Sequence, residues 1–126
     1  MADASDFARL RAQLAAQLAP PLEVSAAGKQ HYFSEDSAAY CEIEVRQDEA
    51  FAVVVVRAGS APTEDFITRV WHRYADEVWV VDPLDATVHV VPRGGAVQRF
   101  AAGDTLRSSR LPAIAIPISA VFVVTN

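Results

Sequence analysis

"AFAVVVVRA", residues 50–58, holds four valines in succession, Val53 to Val56. Successive side chains of a strand point to opposite faces. A run that is apolar at every position therefore needs cover on both sides, which places it at the centre of a sheet. A second run of this kind follows at "EVWVVDP", residues 77–83, with Val78, Trp79, Val80 and Val81. Between the two, Phe66, Ile67, Val70, Trp71 and Tyr74 form an apolar stripe that predicts a helix over residues 63–75. Asp65, Arg69 and Arg73 stand four apart on its other side, a spacing that allows ion pairs. Strand, helix, strand with both strands buried is the pattern of a parallel crossover. The two valine runs are expected as adjacent central strands with the helix packed on their sheet.

The flanking elements follow from the same rules. Phe7, Leu10, Leu14 and Leu18 predict a helix over residues 5–18, capped by Ser5 or Asp3 and ended by Pro20-Pro21. "LEVSA" (22–26) reads as a short strand. "AGKQHYFSEDS" (27–37) reads as loop or weak edge strand. In "AYCEIEVRQ" (39–47), Cys41, Ile43 and Val45 alternate with Tyr40, Glu42, Glu44 and Arg46, which predicts a strand with one apolar and one polar face. Gln47-Asp48-Glu49 turns into the valine run. Asp82-Pro83 ends the second run, either as a plain turn or as the edge of a site. "ATVHVVPR", Gly94-Gly95 and "AVQRFAA" predict a hairpin about a tight glycine turn. Pro112 and Pro117 keep the apolar tail, residues 111–126, out of a central strand and place it along one sheet edge. The fold class is α/β: an N-terminal helix, a mixed sheet, a crossover helix and a C-terminal hairpin.

Composition narrows the function classes. The 126 residues suit a single domain, 1–126, with 52% hydrophobic and 21% charged residues. A net charge of −5 speaks against a general phosphate-binding surface, while leaving room for a local basic patch. Cys41 is the sole cysteine, which excludes an internal disulfide and a cysteine zinc cage, and fits a reducing, cytoplasmic setting. No apolar run reaches the roughly 18 residues that span a bilayer. The N-terminus is too acidic, and too interrupted by arginine, for a secretory signal.

The order of motifs from residue 53 to 122 carries a resemblance. Gly59-Ser60 follows the valine strand, then come Asp65-x-x-x-Arg69, Tyr74, "EVWVVDP", "TVHVVPRGGAVQRF" and "GDTLRSSRLPAIAIPISAVF". This series resembles the Uma-type restriction endonucleases, a widespread bacterial group assigned to the PD-(D/E)XK nuclease superfamily. The resemblance implies a restriction-endonuclease-like core. It also implies carboxylates on adjacent strands that hold Mg²⁺, an ion that takes oxygen ligands. Metal and lysine together would activate water against a phosphodiester.

The chain departs from that pattern where the chemistry should sit. The family's catalytic strand looks like "DLVVEVLS", and its acid falls at or near Val55, which cannot bind a metal. The helix lysine becomes Arg69, which keeps the charge but is a poor base. The span between strand and "WVVDP" is also short, so the chain looks like a shortened and degenerate member. A rebuilt site would draw on Glu42 and Glu44, two apart on one strand face, with Asp65 and Arg69. Glu42 and Glu44 would then be the metal ligands, and Lys29, the chain's sole lysine, could fold over that face. The bland alternative is a solvated strand face, with Arg57 in a surface ion pair to Glu42 or Glu44.

Other residues offer less. His31, His72 and His89 lack an i, i+4 histidine partner. Ser60 lacks a nucleophile elbow. Cys41, Trp71 and Trp79 sit at core spacings, and Gly94-Gly95 is a hairpin turn. Three readings compete. The first is a catalytically silent binding or structural module, with a homodimer through the apolar edge at 111–124. The second is a Mg²⁺-dependent DNA endonuclease with a migrated site. The third is a small-ligand binding domain.

Overall fold

The computed structural model describes residues 4–20, 22–34, 37–48, 50–58 and 64–122. Helix α1 (Ala4–Gln17) leads into β1 (Leu22–Ser34), β2 (Ser37–Gln47) and β3 (Ala50–Arg57). Helix α2 (Glu64–Arg69) and a 3-10 turn (Trp71–Arg73) then connect to β4 (Ala75–Asp82). Strands β5 (Thr87–Pro92) and β6 (Gln98–Phe100) follow. The tail holds β7 (Thr105–Leu106), β8 (Ile116–Pro117) and a 3-10 turn at Ile118–Ala120. The main sheet is ordered β1-β2-β3-β4-β5-β6. Strands β3 and β4 are parallel; every other neighbouring pair is antiparallel.

The two valine runs are the adjacent central strands their patterning predicts. Val54 pairs with Val78, Val55 with Trp79 and Val56 with Val80. Val53 to Val56 are fully buried or nearly so. The faces divide the core in two. Val53, Val55, Trp79 and Val81 pack under α1 through Phe7, Leu10 and Leu14. Val54, Val56 and Val78 pack under Ile67, Val70 and Trp71 of the crossover. Burial on both faces is what a parallel pair requires.

Several elements differ from their sequence signals. Strand β1 runs on through residues 27–34, which read as loop, because it pairs with β2 nearly to its end, where Ser34 meets Ser37. An antiparallel ladder satisfies the backbone whatever the side chains. The crossover helix stops at Arg69 instead of 75, since Ala75 is already in β4 opposite Phe51. Tyr74 consequently leaves the apolar stripe and is exposed. The hairpin is wider than a two-residue glycine turn: its last pair is Val90–Gln98, and the connection between the strands runs from Arg93 to Val97. Gly94 there has φ of 72°, a left-handed conformation that favours glycine. The signals at Asp3, Pro21, Glu49, Gly59-Ser60 and residues 123–126 lie outside the described residues.

The apolar tail lies on a face, not along an edge. Leu111, Ile114, Ile116, Ile118, Val121 and Phe122 join the core beneath α1. The side chain of Gln17 clasps residue 115, accepting from Ala115 N–H (2.8 Å) and donating to its carbonyl (2.9 Å). Arg9 Nε donates to the Val121 carbonyl at 2.8 Å. Pro112 and Pro117 fit this role, because a covering segment owes no ladder bonds to the main sheet. The apolar side chains of residues 111–122, expected along an edge, thus face the core.

Asp82 is a turn residue. Its Oδ1 accepts the N–H groups of Leu84 (3.0 Å) and Asp85 (3.2 Å), closing β4 into β5. The turn forces Ala86 to φ of 54°. A left-handed alanine costs roughly 1–2 kcal/mol, part of which glycine's freedom in the unfolded chain offsets. Ala86→Gly is therefore expected to stabilise by about 0.5 kcal/mol. A lower thermal midpoint than wild type would contradict this.

Candidate functional site

The residues singled out for chemistry divide between two elements, Glu42 and Glu44 on β2 and Asp65 and Arg69 on α2. Strand alternation breaks between Cys41 and Ile43. Cys41 belongs to the core under α2, whereas Ile43 and Val45 belong to the core under α1. The β2–β3 ladder also ends at the Ile43–Val55 pair, and the β1–β2 register shifts between Ala26 and Lys29. Such an irregularity re-aims side chains. Glu42 consequently reaches Arg57, whose Nε and Nη2 lie 3.2 and 3.1 Å from Glu42 Oε1. The Arg57 guanidinium stacks on the Phe7 ring of α1 at 4.7 Å.

Glu44 goes the other way. It is buried, lies opposite Val54 in the ladder and stands 3.9 Å from Arg46. Arg46 in turn covers the Phe51 ring, which belongs to the core under α2. The two glutamates therefore do not share a face, contrary to the period-two expectation. Val55, where the resemblance puts the catalytic acid, is completely buried beside Ile43 and Trp79. Arg57 stands two residues beyond it, on the α1 side. Arg69 is exposed at the end of α2, on the sheet face away from Glu42. Asp65 is within α2, and its side chain and that of Lys29 lie outside the described residues.

Magnesium needs a near-octahedral set of oxygen ligands. On the α1 face the described seam offers the Glu42 carboxylate, already bound to a guanidinium, beside an apolar Val55. Among the described residues no group of three His, Cys, Asp or Glu could hold a metal ion. The donor set around Glu42 thus does not fit the ion that the nuclease resemblance implies.

One heavily bonded carboxyl was not among the residues the sequence singled out. Glu77 is completely buried. Its Oε1 accepts from Trp79 Nε1 (2.6 Å) and Ser108 Oγ (2.5 Å). Its Oε2 accepts from Ser109 Oγ (2.9 Å) and Arg110 N–H (3.4 Å). Ser108 Oγ meanwhile accepts from the Arg110 and Leu111 N–H groups, at 3.2 and 3.0 Å. Arg110 Nε donates to Asp76 Oδ2 at 2.7 Å, and its guanidinium also meets Gln47. The pair Asp76-Glu77 at the start of β4 thus pins the Ser108-Ser109-Arg110 turn, from which the tail crosses under α1. The signal was present: a glutamate inside a buried strand must find donors, and "RSSRLP" supplies them. Of the histidines, His72 has its Nε2 3.2 Å from the Val91 carbonyl.

Comparison with protein families and with curated proteins finds no match for the chain. Solved structures do offer matches. The fold is shared with the crystal structure of "a putative nuclease belonging to DUF820 from Anabaena variabilis ATCC 29413". The TM-score is 0.69 at 14% identity, over 97% of this chain and 82% of that one. The fold is restriction-endonuclease-like. At this identity the likeness extends to fold, and function has to be argued from the site. No described helix is long and apolar enough to cross a membrane.

Proposed function

We propose that this chain is a non-catalytic relative of the PD-(D/E)XK nucleases that acts as a binding or structural module. One observation carries the reading: the carboxylate best placed to hold a metal, Glu42, is neutralised by the Arg57 guanidinium at 3.1 Å. A divalent cation would have to displace that guanidinium and then find further oxygen ligands beside Val55. The pair is half-buried, and Arg57 is also held against Phe7, so displacement breaks two contacts. Without a metal, neither water activation nor neutralisation of the attacked phosphate is supplied.

A supercoiled-plasmid nicking assay with Mg²⁺ or Mn²⁺ tests this. Wild type and a Glu42→Ala, Glu44→Ala double variant are expected to show no nicking beyond buffer. Metal-dependent nicking by wild type that disappears in the variant would overturn the proposal. It would instead support a migrated site built on Glu42, Glu44, Asp65 and Arg69.

A further inference from the structure

Four of the chain's eleven basic residues, Arg93, Arg99, Arg107 and Arg110, fall between residues 93 and 110, against one acid, Asp104. That segment has a net charge of +3 in a chain of net −5. Asp104 turns inward to cap its own loop, accepting from Ala101 N–H at 2.8 Å. Arg93 and Arg110 are committed to Asp76. Arg99 and Arg107 are exposed and have no charged partner among the described residues. Both line an open groove of about 600 Å³ with Gln98, Phe100, Ser108 and Ser109. The groove borders β6, which ends the sheet: β6 pairs with β5 and no described residue bonds the backbone of its outer edge.

We propose that β6, Arg99 and Arg107 form a docking edge for an extended acidic segment of a partner protein, which adds to the sheet as a further strand. This rests on the reading of the chain as a binding module and names the partner's chemistry. An unpaired strand edge presents backbone donors and acceptors in alternation, and a peptide backbone matches both. A nucleic acid backbone offers no matching row of donors. The two uncommitted guanidiniums favour carboxylates on the incoming strand, and bidentate geometry suits them. The groove is open and shallow, a shape suited to an extended chain more than to an enclosed small molecule.

The test uses the full chain, isotopically labelled, and a capped eight-residue peptide alternating valine and glutamate. Fluorescence anisotropy measures affinity, and amide hydrogen exchange locates the contact. Expected are binding below about 1 mM at low salt, slowed exchange at Gln98–Phe100, and weakening of about tenfold on raising the salt. Arg99→Glu with Arg107→Glu should cost at least about tenfold in affinity with an unchanged circular dichroism spectrum. If that variant does not fold, a backbone N-methylated peptide on wild type replaces it and should bind more weakly. No peptide binding, binding indifferent to charge reversal or N-methylation, or binding of a twelve-residue oligothymidylate in place of the peptide would each overturn the proposal. Failure here leaves the non-catalytic reading standing, and metal-dependent nicking would overturn that reading without touching this edge.

Discussion

Replacing Glu77 with alanine is expected to destabilise the fold by about 3–5 kcal/mol, because it removes the acceptor of a buried hydrogen-bond network. The carboxyl is completely buried and receives four donors, from Trp79, Ser108, Ser109 and Arg110. Alanine leaves those donors without their acceptor, and each buried orphan costs about 1–3 kcal/mol. The damage should spread, because Ser108–Arg110 directs the tail whose Leu111, Ile114 and Ile116 fill the core under α1. Glu77→Gln keeps the shape and one acceptor oxygen, and should fall between alanine and wild type. Urea unfolding followed by tryptophan fluorescence reads all three. An alanine variant within about 0.5 kcal/mol of wild type, the range of ordinary surface changes, would mean that Glu77 does not hold the tail.

Val54→Asp should be comparably severe, at about 3 kcal/mol or more, because it buries a charge without a partner. Val54 is fully buried between β2 and β4, under the crossover residues Ile67, Val70 and Trp71. Its cross-strand neighbour is the buried Glu44, so the new carboxylate would face a like group, an unfavourable pairing. Val80→Asp should cost less, since Val80 is only partly buried. Equal losses at the two positions would contradict the burial pattern. Soluble yield and denaturation midpoint separate them.

The central crossover was legible because its signal is redundant. Four valines in a row cannot alternate between core and solvent, and one strand–helix–strand arrangement buries two such runs. Weaker signals lost to tertiary context. Residues 27–34 look like loop but become strand, since β2 supplies a partner for their backbone. The crossover helix lost its last turn to β4, which begins where β3 needs a neighbour and not where the apolar run begins. The tail's prolines correctly excluded a central strand, but sequence could not say that α1 would clasp it through Gln17.

The candidate site was less legible. Period-two reasoning put Glu42 and Glu44 on one face, and an irregularity near residue 42 undoes that. A slip of one residue reverses every side chain beyond it. The apolar pattern cannot reveal such an irregularity, because Cys41 and Ile43 are both buried, each in a different core. Glu77 escaped notice for the opposite reason. It stands beside Val78-Trp79 in the primary structure, while its partners at 108–110 are some thirty residues away.

In the proposed reading Arg57 occupies the carboxylate that a catalytic metal would need. Crystals soaked in Mn²⁺ and measured for manganese anomalous scattering address this directly. The predicted result is no manganese peak at Glu42, with the Arg57 guanidinium still within ion-pair distance of its carboxylate. A manganese ion coordinated by Glu42, with Arg57 swung away from it, would contradict the account.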